Sequence, residues 1–128
     1  MKISLKPPRA FIIAEAGVNH NGSLRLAKRL VDAAKAAGAD AVKFQSFRSE
    51  SLVTRSARTA DYQRAATRAS SQFAMLKKLE LDEKAHAALF AYCRRKGILF
   101  MSSPLDAESA DLLSRLGVDR FKLGSGEI

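Results

Sequence analysis

Residues 97–128 read GILFMSSPLDAESADLLSRLGVDRFKLGSGEI, and this stretch decides the fold. ILFMSS (98–103) is a short, almost wholly apolar run of strand length. Asp106 then stands where a helix N-cap would, with Ala110, Leu112, Leu113 and Leu116 at helical spacing and Gly117 as the stop. DRFKLGS (119–125) is a second apolar run. The unit is strand, helix, strand.

The same unit recurs toward the N-terminus. FIIAEA (11–16) predicts a strand, Asn21-Gly22 a turn, and Ser23 the cap of a helix carrying Leu24, Ala27, Leu30, Val31 and Ala34 and closing on Gly38. ADAVKFQSF (39–47) predicts the second strand. Residues from Arg48 to about Ser71 read as irregular. A helix with Phe73, Met75, Leu76 and Leu79 begins near Ser71, and another runs from Asp82 through Ala85, Leu89, Phe90 and Cys93 to Gly97. Alternation of this kind argues a parallel sheet with right-handed crossovers. Strands apolar nearly throughout are covered on both faces. An open doubly wound sheet and a (β/α)8 TIM barrel both satisfy this. A full barrel needs about 250 residues, so these 128 would supply its first four βα units, the N-terminal half, without the rest.

Bulk properties narrow the class. A hydrophobic fraction of 47% supports a real core. No apolar run reaches the roughly 20 residues needed to span a bilayer, and the first residues carry no signal-peptide pattern. A single cysteine, Cys93, excludes an internal disulfide, fits a reducing cytosol and reads as a small buried residue. The expected location is therefore cytoplasmic. The net charge of +9 attracts anions, nucleic acid and phosphorylated metabolites included. Arg48, Arg55, Arg58, Arg64, Arg68, Lys77 and Lys78 concentrate it, as a solvated surface or an anion-steering one.

In parallel α/β folds ligands bind at the carboxyl ends of the strands. Glu15, Asn19, His20 and Asn21 follow the first strand; Lys43 and Gln45 come late in the second, Ser102 and Ser103 end the third, and Lys122, Ser125 and Glu127 come late in the fourth. An unpaired charge in an apolar strand costs several kcal/mol, so polar groups at the same end of every strand point to a site. Two converging lysines read as a phosphate or carboxylate clamp, and Gly124 and Gly126 let backbone N–H groups approach an anion. Lys43 could equally pair with a carboxylate or guard an edge. Glu15 and Glu127 are candidates for acid–base work, or neutralise the lysines. His20 could ligate a metal, but one histidine is not a metal site. His86 reads as structural or solvent-facing. No GxGxxG, P-loop, CxxC or HExxH occurs.

IIAEAGVNHNG (12–22), AVKFQSF (41–47), DYQ (61–63), SSPLD (102–106) and FKLGSGEI (121–128), in that order and spacing, resemble the sialic acid synthases. The resemblance implies condensation of phosphoenolpyruvate with the open-chain aldehyde of an N-acylated mannosamine or related amino sugar, with water, a divalent metal (manganese or magnesium) and release of phosphate. It implies a (β/α)8 barrel, an antifreeze-like domain and a homodimer. It assigns Lys43, Lys122 and Ser125 to phosphoenolpyruvate, together with Ser103, where the family usually has threonine. Glu15 falls on a glutamate that handles water or a proton, Glu127 on one facing the reacting carbons, and Gln45 and Tyr62 on the amino-sugar side. The family's metal-ligating histidines and its antifreeze-like domain have no counterpart in these residues, so the chain alone is expected to be inactive. The alternative is a basic, non-catalytic α/β module binding anions or nucleic acid. Nucleic acid is the less expected partner, because it does not require acids and amides at the strand ends.

Overall fold

The structure, a computed structural model, describes residues 9–53 and 71–127. Elements follow in the order β1 (Ile13–Gly17), α1 (Leu24–Ala36), β2 (Ala41–Ser46), α2 (Ser49–Leu52), α3 (Gln72–Leu79), α4 (Glu83–Lys96), β3 (Leu99–Pro104) and α5 (Ala107–Arg115), then a 3-10 turn at Ser125–Glu127. The strands form one parallel sheet in the order β1-β2-β3.

The helices begin where local chemistry starts them. Ser23, Ser71, Asp82 and Asp106 each accept the backbone N–H three residues on, from Leu26, Ala74, Ala85 and Ser109. Each such cap contributes about 1 kcal/mol. At the far end of α4, Arg94, Arg95 and Lys96 oppose the negative end of the helix dipole.

Val42 and Phe44 of β2 share one buried cluster with Phe100, with Ala27 and Val31 of α1, Leu89 and Cys93 of α4, and Leu113 of α5. The rings of Phe44 and Phe100 stack at 5.8 Å. Helices from three different crossovers thus cover the same face of the sheet. A doubly wound sheet divides its helices between both faces, so this layering is that of a barrel segment. Strand alternation puts Ile13 and Glu15, Ala41, Lys43 and Gln45, and Leu99, Met101 and Ser103 on the other face.

Two expectations need correcting. The fourth strand, read over 119–125, is reduced to a single parallel bridge between Phe121 and Ser102, with one backbone bond from Lys122 N–H to the Ser102 carbonyl at 3.0 Å. Phe121 and Leu123 remain 40% and 62% exposed, so little burial supports a longer ladder. The glycine-flanked turn at Ser125 then ends it. Second, the stretch read as irregular after Arg48 opens with α2. Its helix is held from a distance, because Glu80 accepts from both the N–H and the hydroxyl of Ser49, at 3.0 and 2.8 Å.

Among the described residues no helix is long and apolar enough to cross a membrane.

Candidate active site

The side of the sheet away from the helices carries Glu15, Lys43, Gln45 and Ser103 of the polar residues expected at the strand ends. Lys43 is nearly buried, at 10% side-chain exposure, and its ammonium meets the Glu15 carboxylate at 2.5 Å. Glu15 lies directly opposite Lys43 in the β1–β2 register, which is why the two meet. Its own side chain is 56% exposed and faces the open side. The pairing of the lysine with a carboxylate is thus realised, and the edge role is not.

One step toward the carboxyl ends, Gln45 stands opposite Ser103. Ser102 and Ser103, read together as mouth hydroxyls, separate here. Adjacent strand residues point to opposite faces, and Ser102 turns to the helix side, where its hydroxyl lies 2.7 Å from that of Ser46. Lys122 follows the bridge at Phe121, level with Ser103, and is exposed. Ser125 is exposed in the 3-10 turn, which Glu127 closes. Tyr62 lies outside the described residues.

The loop after β1 is built around His20. Its ring is fully buried, 6.0 Å from that of Phe44, and its Nδ1 accepts the Gly22 N–H at 3.0 Å. Burial, aided by the nearby His86, lowers its pKa below the ordinary 6.5, so it stays neutral. Nε2 is buried without a hydrogen-bond partner. His20 therefore reads as a packing residue of the loop. Among the described residues no group of three or more His, Cys, Asp and Glu side chains is placed to hold a metal ion. Glu15 is engaged by Lys43 and the Nδ1 of His20 by a backbone N–H, so the donors among the described residues do not fit a divalent metal centre. Cys93 is buried, and burial pushes its thiol up to about 12, which leaves it no role as a nucleophile at neutral pH.

Sequence reasoning read His86 as structural or solvent-facing, and the structure makes it structural; what it missed is Ser46 and the bonds that join it to His86 and Ser102. His86 is 2% exposed and bonds to Ser46, which no periodicity marks. It floors a cavity of about 170 Å³ lined also by Arg48, Ser109 and Arg115. That cavity lies on the side of the sheet away from Glu15 and Lys43 and holds none of the expected site residues.

Comparison with known proteins finds relatives over most of the chain. A profile of the NeuB family matches residues 30–128. An N,N'-diacetyllegionaminic acid synthase of Legionella pneumophila is 55% identical over 92% of this chain and 33% of its own length. A protein of the same name from Campylobacter jejuni is 50% identical over 94% of this chain and 36% of its own. The crystal structure of an N-acetylneuraminic acid synthetase from Leptospira borgpetersenii, in complex with citrate, superposes with a TM-score of 0.72 at 34% identity, over 91% of this chain and 36% of that one. The chain thus spans about a third of the length of the relatives it matches. With the parallel sheet, its one-sided helical cover and the matched residues in agreement, the chain belongs to the NeuB family.

Proposed function

We propose that these residues form the phosphoenolpyruvate-holding part of a synthase site that builds a sialic-acid-type nonulosonate. The observation that carries this is the Glu15–Lys43 pair on the barrel-facing side, one step below Gln45 and Ser103. Lys43 is a nearly buried cation whose partner is open to solvent. An arriving phosphate or carboxylate can take the place of the Glu15 carboxylate on Lys43. That exchange keeps the buried charge compensated and frees Glu15 to accept or deliver a proton at the reacting carbons. Lys122, Ser103 and Ser125 add donors to the same anion, and Gln45 and Tyr62 meet the sugar. Glu127 serves as the second acid–base group. The methylene carbon of the enol phosphate bonds to the aldehyde carbon, whose oxygen takes a proton to become a hydroxyl; water adds at the phosphate-bearing carbon and gives up its protons, and phosphate departs by C–O cleavage to leave a ketone.

The acceptor we favour is a diacetamido sugar, because the relatives at 55% and 50% identity are both named for N,N'-diacetyllegionaminic acid. The metal of such a reaction would polarise the aldehyde, and the donors among the described residues do not make its centre. For the same reason the 128-residue chain by itself is expected not to turn over N-acetylmannosamine with manganese, and measurable turnover would contradict that.

Calorimetric titration of phosphoenolpyruvate into the chain tests the anion site. Lys43→Ala should weaken binding by roughly tenfold or more, as loss of a charge-assisted contact does. Arg115→Ala, on the helix side, should leave it unchanged. Equal weakening by both variants would mean that only net charge is read, and the site assignment would fail.

A further inference from the structure

Beneath the strand ends, on the side facing the helices, three buried side chains form a line. The Ser102 hydroxyl lies 2.7 Å from that of Ser46, Ser46 Oγ lies 2.7 Å from His86 Nε2, and His86 Nδ1 lies 2.9 Å from the Asp82 carbonyl. Their relative exposures are 0%, 1% and 2%. Chemistry sets the direction of every bond. A carbonyl only accepts, so the proton of a neutral imidazole sits on Nδ1 and Nε2 must accept. Ser46 therefore donates to His86, and Ser102 donates to Ser46.

The same two serines hold the backbone on the other side. The Ser46 carbonyl accepts the Leu105 N–H and the Ser102 carbonyl accepts the Lys122 N–H, each at 3.0 Å. The line thus ties the first turn of α4 to the exits of β2 and β3 and to the segment that brings Lys122 to the mouth. Each serine is the direct neighbour of a residue on the opposite face: Gln45 precedes Ser46, and Ser103 follows Ser102.

We propose that His86 is a positioning residue, a neutral Nδ1-protonated imidazole that sets Gln45, Ser103 and Lys122 through the hydroxyls of Ser46 and Ser102. What it positions rests on the function proposed above; that it positions the strand ends does not. The titratable groups around it are Asp82 at the cap of its own helix, Arg48 at the exit of β2 and His20 after β1, with Glu83, Glu108, Asp111 and Arg115 lining the same cavity.

The 128-residue chain labelled with nitrogen-15 provides the test. Long-range proton–nitrogen spectra at pH 7 should show His86 Nε2 as the bare acceptor and His20 as the opposite tautomer, since His20 Nδ1 accepts the Gly22 N–H. A protonated His86 Nε2 would overturn the direction of the line. In His86→Phe, amide exchange at Lys122 and Leu105 should quicken roughly tenfold, as loss of one hydrogen bond does, while Ala27 and Val31 of α1 keep their rates. His86→Gln, which restores an acceptor, should bring both amides back. If His86→Phe loosens α1 as well, Ser46→Ala cuts the line with a smaller change and is read in the same way. Unaltered exchange at Lys122 and Leu105 in a variant that keeps its α1 rates would refute the proposal. Phosphoenolpyruvate affinity is measured in parallel and should fall in His86→Phe and recover in His86→Gln. Absence of binding by the unsubstituted chain would count against the proposed function and leave the tautomer and exchange results to judge His86.

Discussion

Replacing Gly22 by alanine should cost far more than a turn glycine ordinarily does. Gly22 sits at φ +73, and a Cβ there would lie 2.1 Å from the carbonyl oxygen of Lys78 and 3.2 Å from its carbon. The left-handed conformation alone costs a non-glycine residue about 1–2 kcal/mol. The contact adds a second cost, because an ordinary carbon–oxygen separation would require the backbone to part by roughly 1 Å, and such overpacking costs about 1–3 kcal/mol. Lys78 lies in the last turn of α3, just before Glu80, which anchors α2 through Ser49. The displaced carbonyl is therefore not free to yield. The sum is about 2–5 kcal/mol, which for a chain of this size lowers the melting temperature by roughly 6–20 °C. Gly38→Ala isolates the conformational term, since Gly38 has φ +80 but nothing within 4 Å of its added Cβ. It should lose only the conformational part, about 1–2 kcal/mol. Thermal unfolding of both variants, followed by circular dichroism at pH 7, reads the difference. Equal losses would refute the close approach of the β1–α1 loop to the end of α3.

Stability should also fall on mild acidification. Burial lowers the pKa of both His20 and His86 below 6.5, so the unfolded chain binds more protons than the folded one. The stabilisation is complete above about pH 6.5 and is lost as pH drops toward the folded values, at up to about 1.4 kcal/mol per histidine per pH unit. Urea midpoints at pH 7.5 and 5.5 should differ in that sense, and by less in His86→Gln; equal midpoints would contradict the burial of neutral rings. Asp106→Ala should cost about 2–3 kcal/mol against about 1 for Ser71→Ala, because Asp106 caps α5 and also accepts the Arg48 N–H at 2.7 Å. Denaturant unfolding that ranks the two alike would remove the bond to Arg48 from consideration.

The helix starts were legible because a cap is a short-range bond. Ser23, Ser71, Asp82 and Asp106 each reach a backbone N–H only three residues ahead, and the apolar spacing behind them follows from one helical period. Strand positions were legible for a similar reason, as apolar runs closed by turns. The fourth strand was read too long because its length depends on a neighbour's hydrogen bonds and on burial, neither of which composition records. α2 was missed because its anchor, Glu80, lies 31 residues away.

The residue types of the site were present in the order Glu15, Lys43, Gln45, Ser103, Lys122, and β periodicity places such residues on alternate faces. Only the tertiary structure decided which face was which. The register between β1 and β2 brings Glu15 onto Lys43, and the register between β2 and β3 sets Ser103 beside Gln45 on the face of Lys43 and Ser102 beside Phe44 on the helix side. The choice between an open sheet and a barrel segment was likewise undetermined by alternation, since both repeat strand and helix. It was settled by the packing of α1, α4 and α5 into one apolar cluster on one side. Local chain chemistry carries information over a few residues, and so it names the elements and their ends. Which groups face one another across the sheet is a property of contacts between distant segments, and it exists only once the apolar face has been buried.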